Sequence, residues 1–351
     1  MKILNFYADY VDGVSPEIMS ALQEESGRKD FAYGEDLSSA DAVKKMQKAF
    51  GTTAEIFFVP GGTQANKIAL ASMLGRVNSI IAADKTHILN HEAGAIESLG
   101  NKIHSVKSMN GKLKAKDIQR IVEENQGPHM VVPKVVAISQ PTERGVIYSS
   151  VELQEIGEAC RENDLYLFID GSRLGNALMS KDATMTSKDL AKYCDILCIG
   201  GTKNGAMYGE ALMVFNEAIA KTFKWHIKQN GALLAKSRFI GAQFGEFFSA
   251  SSLYMENAKH ANEMAQGLMI GLREFGLVET EMVQTNQLFV KMPKMVFENL
   301  SNSYELKKWQ DISPDDVEVR LVTSWNTNEE DVSDLIKSLS KTLQDKKSID
   351  S

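Results

Sequence analysis

Lys203 stands in the run Ile196-Leu-Cys-Ile-Gly-Gly-Thr-Lys203-Asn-Gly205, between small residues and directly after an apolar stretch. A solvated surface lysine seldom sits there, and an amine held in a dehydrated pocket is a competent imine former. The plainer alternative is a turn lysine that follows a strand. A second segment, Leu167-Phe-Ile-Asp170-Gly-Ser-Arg173, ends an apolar run in an acid and places an arginine three residues on. Asp170 and Arg173 could simply pair in the interior, or Asp170 could be a strand-end turn acid. In a functional reading they have separate tasks. Asp170 would keep a pyridine nitrogen protonated, making the ring an electron sink, and Arg173 would grip a substrate carboxylate with its planar fork.

Two further segments add to these. Val59-Pro-Gly-Gly-Thr-Gln-Ala-Asn66 reads as a strand end followed by a helix start. Gly61 and Gly62 permit close backbone approach, and Thr63 is placed to cap the helix, so its free N–H groups suit a phosphate. Gly-Gly-Thr is also an ordinary cap. His87-Ile-Leu-Asn-His91-Glu92-Ala-Gly94 puts two histidines four apart with an adjacent acid, resembling half a zinc helix. The order is H-x-x-x-H-E rather than H-E-x-x-H, which misplaces the glutamate, and no third ligand is evident, so no metal site is expected. A flat imidazole stacked on an aromatic cofactor fits better, with structural histidines as the alternative.

The elements that must position these residues alternate through the middle of the chain. Helices are expected at 40–50, 63–74, 93–99, 115–125 and 150–163, between apolar strands at 55–59, 79–83, 102–106, 134–139, 166–170, 195–200 and 211–215. Runs such as VVPKVVAIS and LYLFID are apolar at nearly every position. Strands of that kind are buried on both faces, which implies a largely parallel sheet covered by helices. Ligands then bind beyond the carboxyl ends of the strands. After about residue 241 the pattern changes to a long helix near 254–275, strands near 288–290 and 318–322, a helix near 295–300 and a final helix from Glu329. The expected organisation is an N-terminal segment (1–15) packing on a small domain, a large domain (16–245), and that small C-terminal α/β domain (246–351). The polar end KTLQDKKSIDS is expected to fray.

Composition narrows the class. The chain has 351 residues, 43% hydrophobic and 24% charged, as in a soluble globular protein. A net charge of −7 gives no basic surface for nucleic acid. No apolar run approaches the ~18 residues that span a bilayer, and the start lacks a signal-peptide core, so a cytoplasmic location is expected. Cys160, Cys194 and Cys198 read as reduced core thiols; Cys194 and Cys198 lack the further ligands a metal site needs.

A Gly-Thr loop, then His, then Asp and Arg, then Lys about thirty residues on is the order of parts in pyridoxal 5′-phosphate (PLP) enzymes of the aspartate-aminotransferase fold (fold type I). The chain resembles, more narrowly, the threonine aldolase/β-eliminating lyase family, especially its low-specificity L-threonine aldolase and phenylserine aldolase members. The resemblance runs over nearly the whole length. It is carried by Tyr33-Gly34 with Asp36, PGGTQAN (60–66), His87 with Glu92-Ala-Gly94, SQPTERG (139–145), DGSRLGNAL (170–178), GGTKNG (200–205) and Arg320-Leu-Val-Thr323. It implies retro-aldol cleavage of L-threonine, L-allo-threonine or related β-hydroxy-α-amino acids to glycine and an aldehyde.

By the same resemblance Lys203 is the lysine that binds PLP covalently, Asp170 the pyridinium partner and His87 the stacking ring. Gly62 and Thr63 hold the phosphate, and Arg173 and Arg320 the substrate carboxylate. Lys228 and Arg238 look like basic residues lent to a neighbouring subunit's phosphate, and Tyr33 lines the site, so a homo-oligomer (dimer or tetramer) with shared sites is implied. Two residues depart from the family pattern. Ala8 precedes Asp9 where many members have serine, and Glu143 stands where many have a second active-site histidine. Glu143 either accepts the β-hydroxyl proton, directly or through water, or is a turn glutamate paired with Arg144. The proton acceptor stays open among His87, Glu143 and water. Another PLP β-eliminating lyase, an aminotransferase, and a non-catalytic or metal-binding α/β protein are the remaining alternatives.

Overall fold

The structure is a computed structural model that describes residues 4–277 and 283–349. Its strands are β1 (Leu4–Asn5), β2 (Glu55–Val59), β3 (Asn78–Ala83), β4 (Lys102–Val106), β5 (Val132–Ser139), β6 (Tyr166–Gly171), β7 (Ile196–Gly200), β8 (Glu210–Val214), β9 (Gln287–Pro293), β10 (Tyr304–Glu305), β11 (Lys307–Asp311) and β12 (Asp316–Val322). β2 to β8 form one seven-stranded sheet in the order β2-β8-β7-β6-β5-β3-β4. β8 is antiparallel to both neighbours and every other adjacent pair is parallel. Alternation along the strands explains why. Ile81, Val136, Ile138, Leu197 and Ile199 enter one apolar core, while Ile80, Val135, Ala137, Ile196 and Cys198 enter the core on the opposite face. A strand buried on both sides carries no polar stripe, and helices cover each face.

A third core holds Phe6 together with Leu288, Val290, Val319, Leu321 and Leu335. It is built on the antiparallel sheet β11-β12-β9, beside the short parallel pair β1-β10. The helix Leu253–Arg273 belongs to both regions: Leu253 and Tyr254 enter a large-sheet core, and Ala265, Leu268 and Leu272 enter the third core. It docks closely on the turn after β6. A Cβ on Gly175 would meet the Ala258 methyl at 2.8 Å, and Asn176 and Asn262 exchange hydrogen bonds of 3.1 and 2.9 Å.

Three local expectations differ from what is observed. No α-helix spans 93–99. Ala93 and Gly94 take positive φ and only a short 3₁₀ turn follows at Glu97–Leu99, because the chain turns there to send the Glu92 side chain inward. Thr63 does not cap its helix: Gly61 is the cap and Thr63 lies in the first turn of Gly62–Met73. The polar C-terminal stretch is helical, since Glu329–Ile349 is one helix whose Leu335 and Leu339 anchor it in the third core. Residues 1–3 of the expected N-terminal segment and residues 350–351 of the tail lie outside the described residues. Among the described residues no helix is long and apolar enough to cross a membrane.

Candidate functional site

The carboxyl edge of the large sheet gathers residues that are far apart in sequence. Asp170 is the penultimate residue of β6, paired with Ser139 of β5 and Cys198 of β7. Its turn runs tightly against the end of β7. A Cβ on Gly171 would meet the Cys198 carbonyl at 2.1 Å, and one on Gly200 the Ser172 carbonyl at 2.3 Å, so both positions require glycine. The buried Asp170 carboxylate accepts hydrogen bonds from Ser172 N (3.0 Å), Ser172 Oγ (2.7 Å) and Asn66 Nδ2 (3.2 Å). All three donors are neutral. Among the described residues no cation lies within ion-pair distance of this buried carboxylate.

Asn66 joins Asp170 to the next strand end. Its Nδ2 also donates to Glu92 Oε1 at 2.6 Å, and the same oxygen meets His87 Nδ1 at 2.8 Å. His87 opens a one-turn helix after β3. Burial alone would lower its pKa, but the hydrogen bond to Glu92 and the charges of Glu143 and Asp170 outweigh it, and the net shift is upward. His91 moves the opposite way through burial, and its ring lies 5.5 Å from that of His87 and 6.1 Å from Trp309. Lys203 follows β7 in a short 3₁₀ turn, Thr202–Asn204, and has no hydrogen bond or ion pair among the described residues. Beside it, the Gly61–Gly62 helix start faces open space: a Cβ on Gly61 would meet nothing within 4 Å.

Facing this edge is a wall from the N- and C-terminal parts of the chain. Arg173 donates through Nε and Nη2 to Asp9 at 2.6 and 3.0 Å, and Asn286 also holds Asp9 at 3.0 Å. Burial would raise Asp9, but Arg173 and Lys203 hold it low; Arg173 in turn is raised despite its burial. The interior pair of Asp170 with Arg173 considered from sequence is therefore not formed; Arg173 pairs with Asp9 instead. Nη1 of Arg173 is the terminal nitrogen left over. Arg320 of β12 is 4% exposed, donates a hydrogen bond to the Tyr7 carbonyl at 3.2 Å, and keeps a buried Nε without a partner among the described residues. Its guanidinium lies 5.3 Å from the Trp309 ring centre. Burial and the charge of Arg173 lower its pKa, which marks an uncompensated cation.

Glu143 is 8% exposed and has no hydrogen-bond partner among the described residues. It is not paired with Arg144, whose fork engages Glu318 of β12 at 2.9 and 2.6 Å while stacking 3.8 Å over Phe289. Glu143 instead acts electrostatically on His87, His91, Arg173 and Arg320.

Tyr33, Lys228 and Arg238 form a separate group. Lys228 Nζ sits 5.1 Å from the Tyr33 ring centre, beside an apolar hollow lined by Trp225 and Leu233. Arg238 pairs with Glu25 at 3.1 Å. Nothing in this chain ties the three to Lys203 or Asp170 by a hydrogen bond or ion pair among the described residues. Several site residues carried no assigned role in the sequence reading: Asn66, Asp9, Asn286 and Trp309. Asn66 stands in the PGGTQAN segment, which offered a signal; Trp309 and Asn286 have none.

This arrangement, a mainly parallel sheet presenting Asp and Lys at its carboxyl edge under a small C-terminal layer, is the aspartate-aminotransferase-type fold. The chain superposes on Thermus thermophilus aspartate aminotransferase with a TM-score of 0.72 at 14% identity, over 97% of this chain and 91% of that one. The chain belongs to the β-eliminating lyase family, which its residues 5–294 match. It is similar to a Leishmania major threonine aldolase, with a TM-score of 0.94 and 35% identity over 96% of this chain and 99% of that one. It is 34% identical to a low specificity L-threonine aldolase of a Pseudomonas species, over 94% of this chain and 95% of that protein.

Proposed function

We propose that this chain is a PLP-dependent aldehyde-lyase that cleaves L-threonine, L-allo-threonine or related β-hydroxy-α-amino acids to glycine and an aldehyde. The observation that carries the reading is the buried Asp170 carboxylate. It is held by neutral donors only, on the same sheet edge as the unpartnered Lys203 amine. A buried anion without a cation is costly, and a protonated ring nitrogen supplies the missing charge. The donor set fits the cofactor in its other parts as well. Lys203 would hold it covalently, Gly62 and Thr63 at the helix start would take its phosphate, and His87, oriented by Glu92, would cover its ring. When bound, PLP supplies the electron sink for cleavage of the Cα–Cβ bond.

The remaining residues act on substrate. Arg320, through its unpartnered Nε, and Arg173, through Nη1, fix the substrate carboxylate and so orient the bond to be broken. Glu143 accepts the β-hydroxyl proton, directly or through water. Among the described residues it is a site carboxylate with no hydrogen-bonding partner, whereas the raised His87 favours its protonated form. Tyr33, Lys228 and Arg238 serve a second copy of the chain in a homo-oligomer, dimer or tetramer. Supporting this, Tyr33 and Lys228 border an outer face where Phe31, Leu37 and Trp225 are exposed at 74%, 75% and 72%. Three free, buried thiols suit a reducing, cytoplasmic compartment.

The test is direct. Protein supplied with PLP should absorb near the visible edge, and Lys203→Ala should abolish both that absorbance and cleavage. A panel of threonine, allo-threonine, phenylserine and serine should release aldehyde and glycine. Pyruvate and ammonia in their place would make the chain a β-eliminating lyase of another kind. A colourless preparation indifferent to PLP would overturn the reading altogether.

A further inference from the structure

Glu210 opens β8, the strand that runs against its neighbours, and is 5% exposed. Its register places it opposite Val59 on one side and Gly200 on the other. Val59 leads into the Gly61–Gly62 helix start, and Gly200 leads into the turn that bears Lys203. One buried carboxyl group therefore lies between the two loops that meet the candidate cofactor. Its Oε2 accepts from Gly201 N at 2.7 Å. The fit around Gly201 is close, since a Cβ there would meet the Gly209 carbonyl at 2.6 Å.

The titratable groups around Glu210 are few. Lys203 in the adjoining turn and Asp170 of β6 act on it electrostatically, and Cys198 of β7 and Tyr254 of the Leu253–Arg273 helix feel its charge. Burial holds the thiol and the phenol in their neutral forms. Burial also pushes the Glu210 carboxyl up to about 7, against the Gly201 N–H, Lys203 and the Thr202 hydroxyl, with Asp170 adding to the rise. A cap for one backbone N–H needs only a neutral acceptor, and a glutamine would serve. With burial raising it, Glu210 carries its charge fully only above neutrality, in the range where an amine titrates.

We propose that Glu210 is a positioning residue for Lys203: it clamps the backbone that carries the lysine and adds, beside the charge of Asp9, a buried negative charge that favours the amine's protonated form. The proposal rests on the reading of Lys203 as the amine that binds the cofactor.

Two variants of the full-length chain separate charge from shape. Glu210→Gln keeps an acceptor for Gly201 but cannot ionise; Glu210→Asp keeps the charge on a shorter arm. Each is freed of cofactor and pulse-labelled with an amine-reactive acylating reagent at a series of pH values. Labelling of Lys203 is read by peptide mass spectrometry, with exposed Lys102 as the internal control. Where a lysine titrates, Glu210 is ionised and stabilises the ammonium form, so its loss lets the amine deprotonate earlier. Glu210→Gln should lower the pH midpoint of Lys203 labelling by about one unit, a change of roughly tenfold in labelling below the midpoint. Glu210→Asp should stay near the parent, and Lys102 should not move. A midpoint unchanged in Glu210→Gln, or shifted equally in both variants, overturns the proposal. Failure of the parent to bind PLP would instead sink the functional reading, since the labelling comparison needs no cofactor.

Discussion

Along the carboxyl edge of the large sheet, Asp170, Asn66, Glu92 and His87 are joined by hydrogen bonds of 3.2, 2.6 and 2.8 Å, while the facing wall leaves Arg320 Nε buried without a partner. The first wall is a chain of hydrogen bonds whose members hold one another in place before anything binds, and the buried atoms it leaves without a partner among the described residues, Asn66 Oδ1 and Glu92 Oε2, are acceptors. The second stores an unsatisfied donor, whose desolvation cost is offset only when an anion arrives. The two walls are thus suited to different guests. A rigid edge matches a resident ring that stays through every turnover, and an incomplete wall matches a carboxylate that comes and goes.

The comparison is broken most severely at Asp9. Asp9→Ala leaves the buried Arg173 guanidinium uncompensated, and the expected loss is roughly 3–5 kcal/mol of stability. A large drop in melting temperature checks this, and a parent-like melt would show that the pair contributes little to the wall. The pair also sets an acid limit. Asp9 is held low in the fold, so its contribution is present above the ordinary carboxylate range and is lost as pH falls through its depressed value.

A smaller effect is expected at Arg320. If Arg320 holds the substrate carboxylate as proposed, Arg320→Leu removes a charge-assisted contact of about 1.5–3 kcal/mol, so KM for threonine should rise roughly 10- to 100-fold. The absorbance of the bound cofactor should be unchanged, because the inner wall is intact. An unaltered KM would place the substrate carboxylate elsewhere.

Glu92→Gln should have the mildest effect and sharpens the account of the inner wall. Without the carboxylate, the largest of the influences that raise His87 against its burial is lost, and its pKa should fall relative to the parent, with the charges of Glu143 and Asp170 still acting upward. The His87–Glu92 contact stabilises the fold at acid pH and loses that effect as pH rises through the raised value. The stability gap between parent and variant should therefore narrow on the alkaline side. Melting temperatures measured across the neutral range read this out, and a constant gap would mean that the contact carries no charge.

Much of the inner wall was legible because its residues end apolar runs. Asp170 follows LYLFI, Lys203 follows ILCIGGT, and both-face burial predicts parallel strands whose carboxyl ends converge. The link through Asn66 was not, since an asparagine in a helix's second turn gives no sign that it will bridge two strand ends. Nor did Thr63 cap its helix, because Gly61, two positions earlier, served as the cap.

The sequence by itself determined the alternation of elements, the double-faced sheet core and the family, since apolar period and short motifs are local properties of the chain. Only the tertiary structure decided the pairings. Arg173 met Asp9 across 164 positions, Arg144 chose Glu318 over its neighbour Glu143, and Glu210 came to lie between two loops. Charges choose partners by distance and burial, and neither exists until the sheet has brought remote segments together.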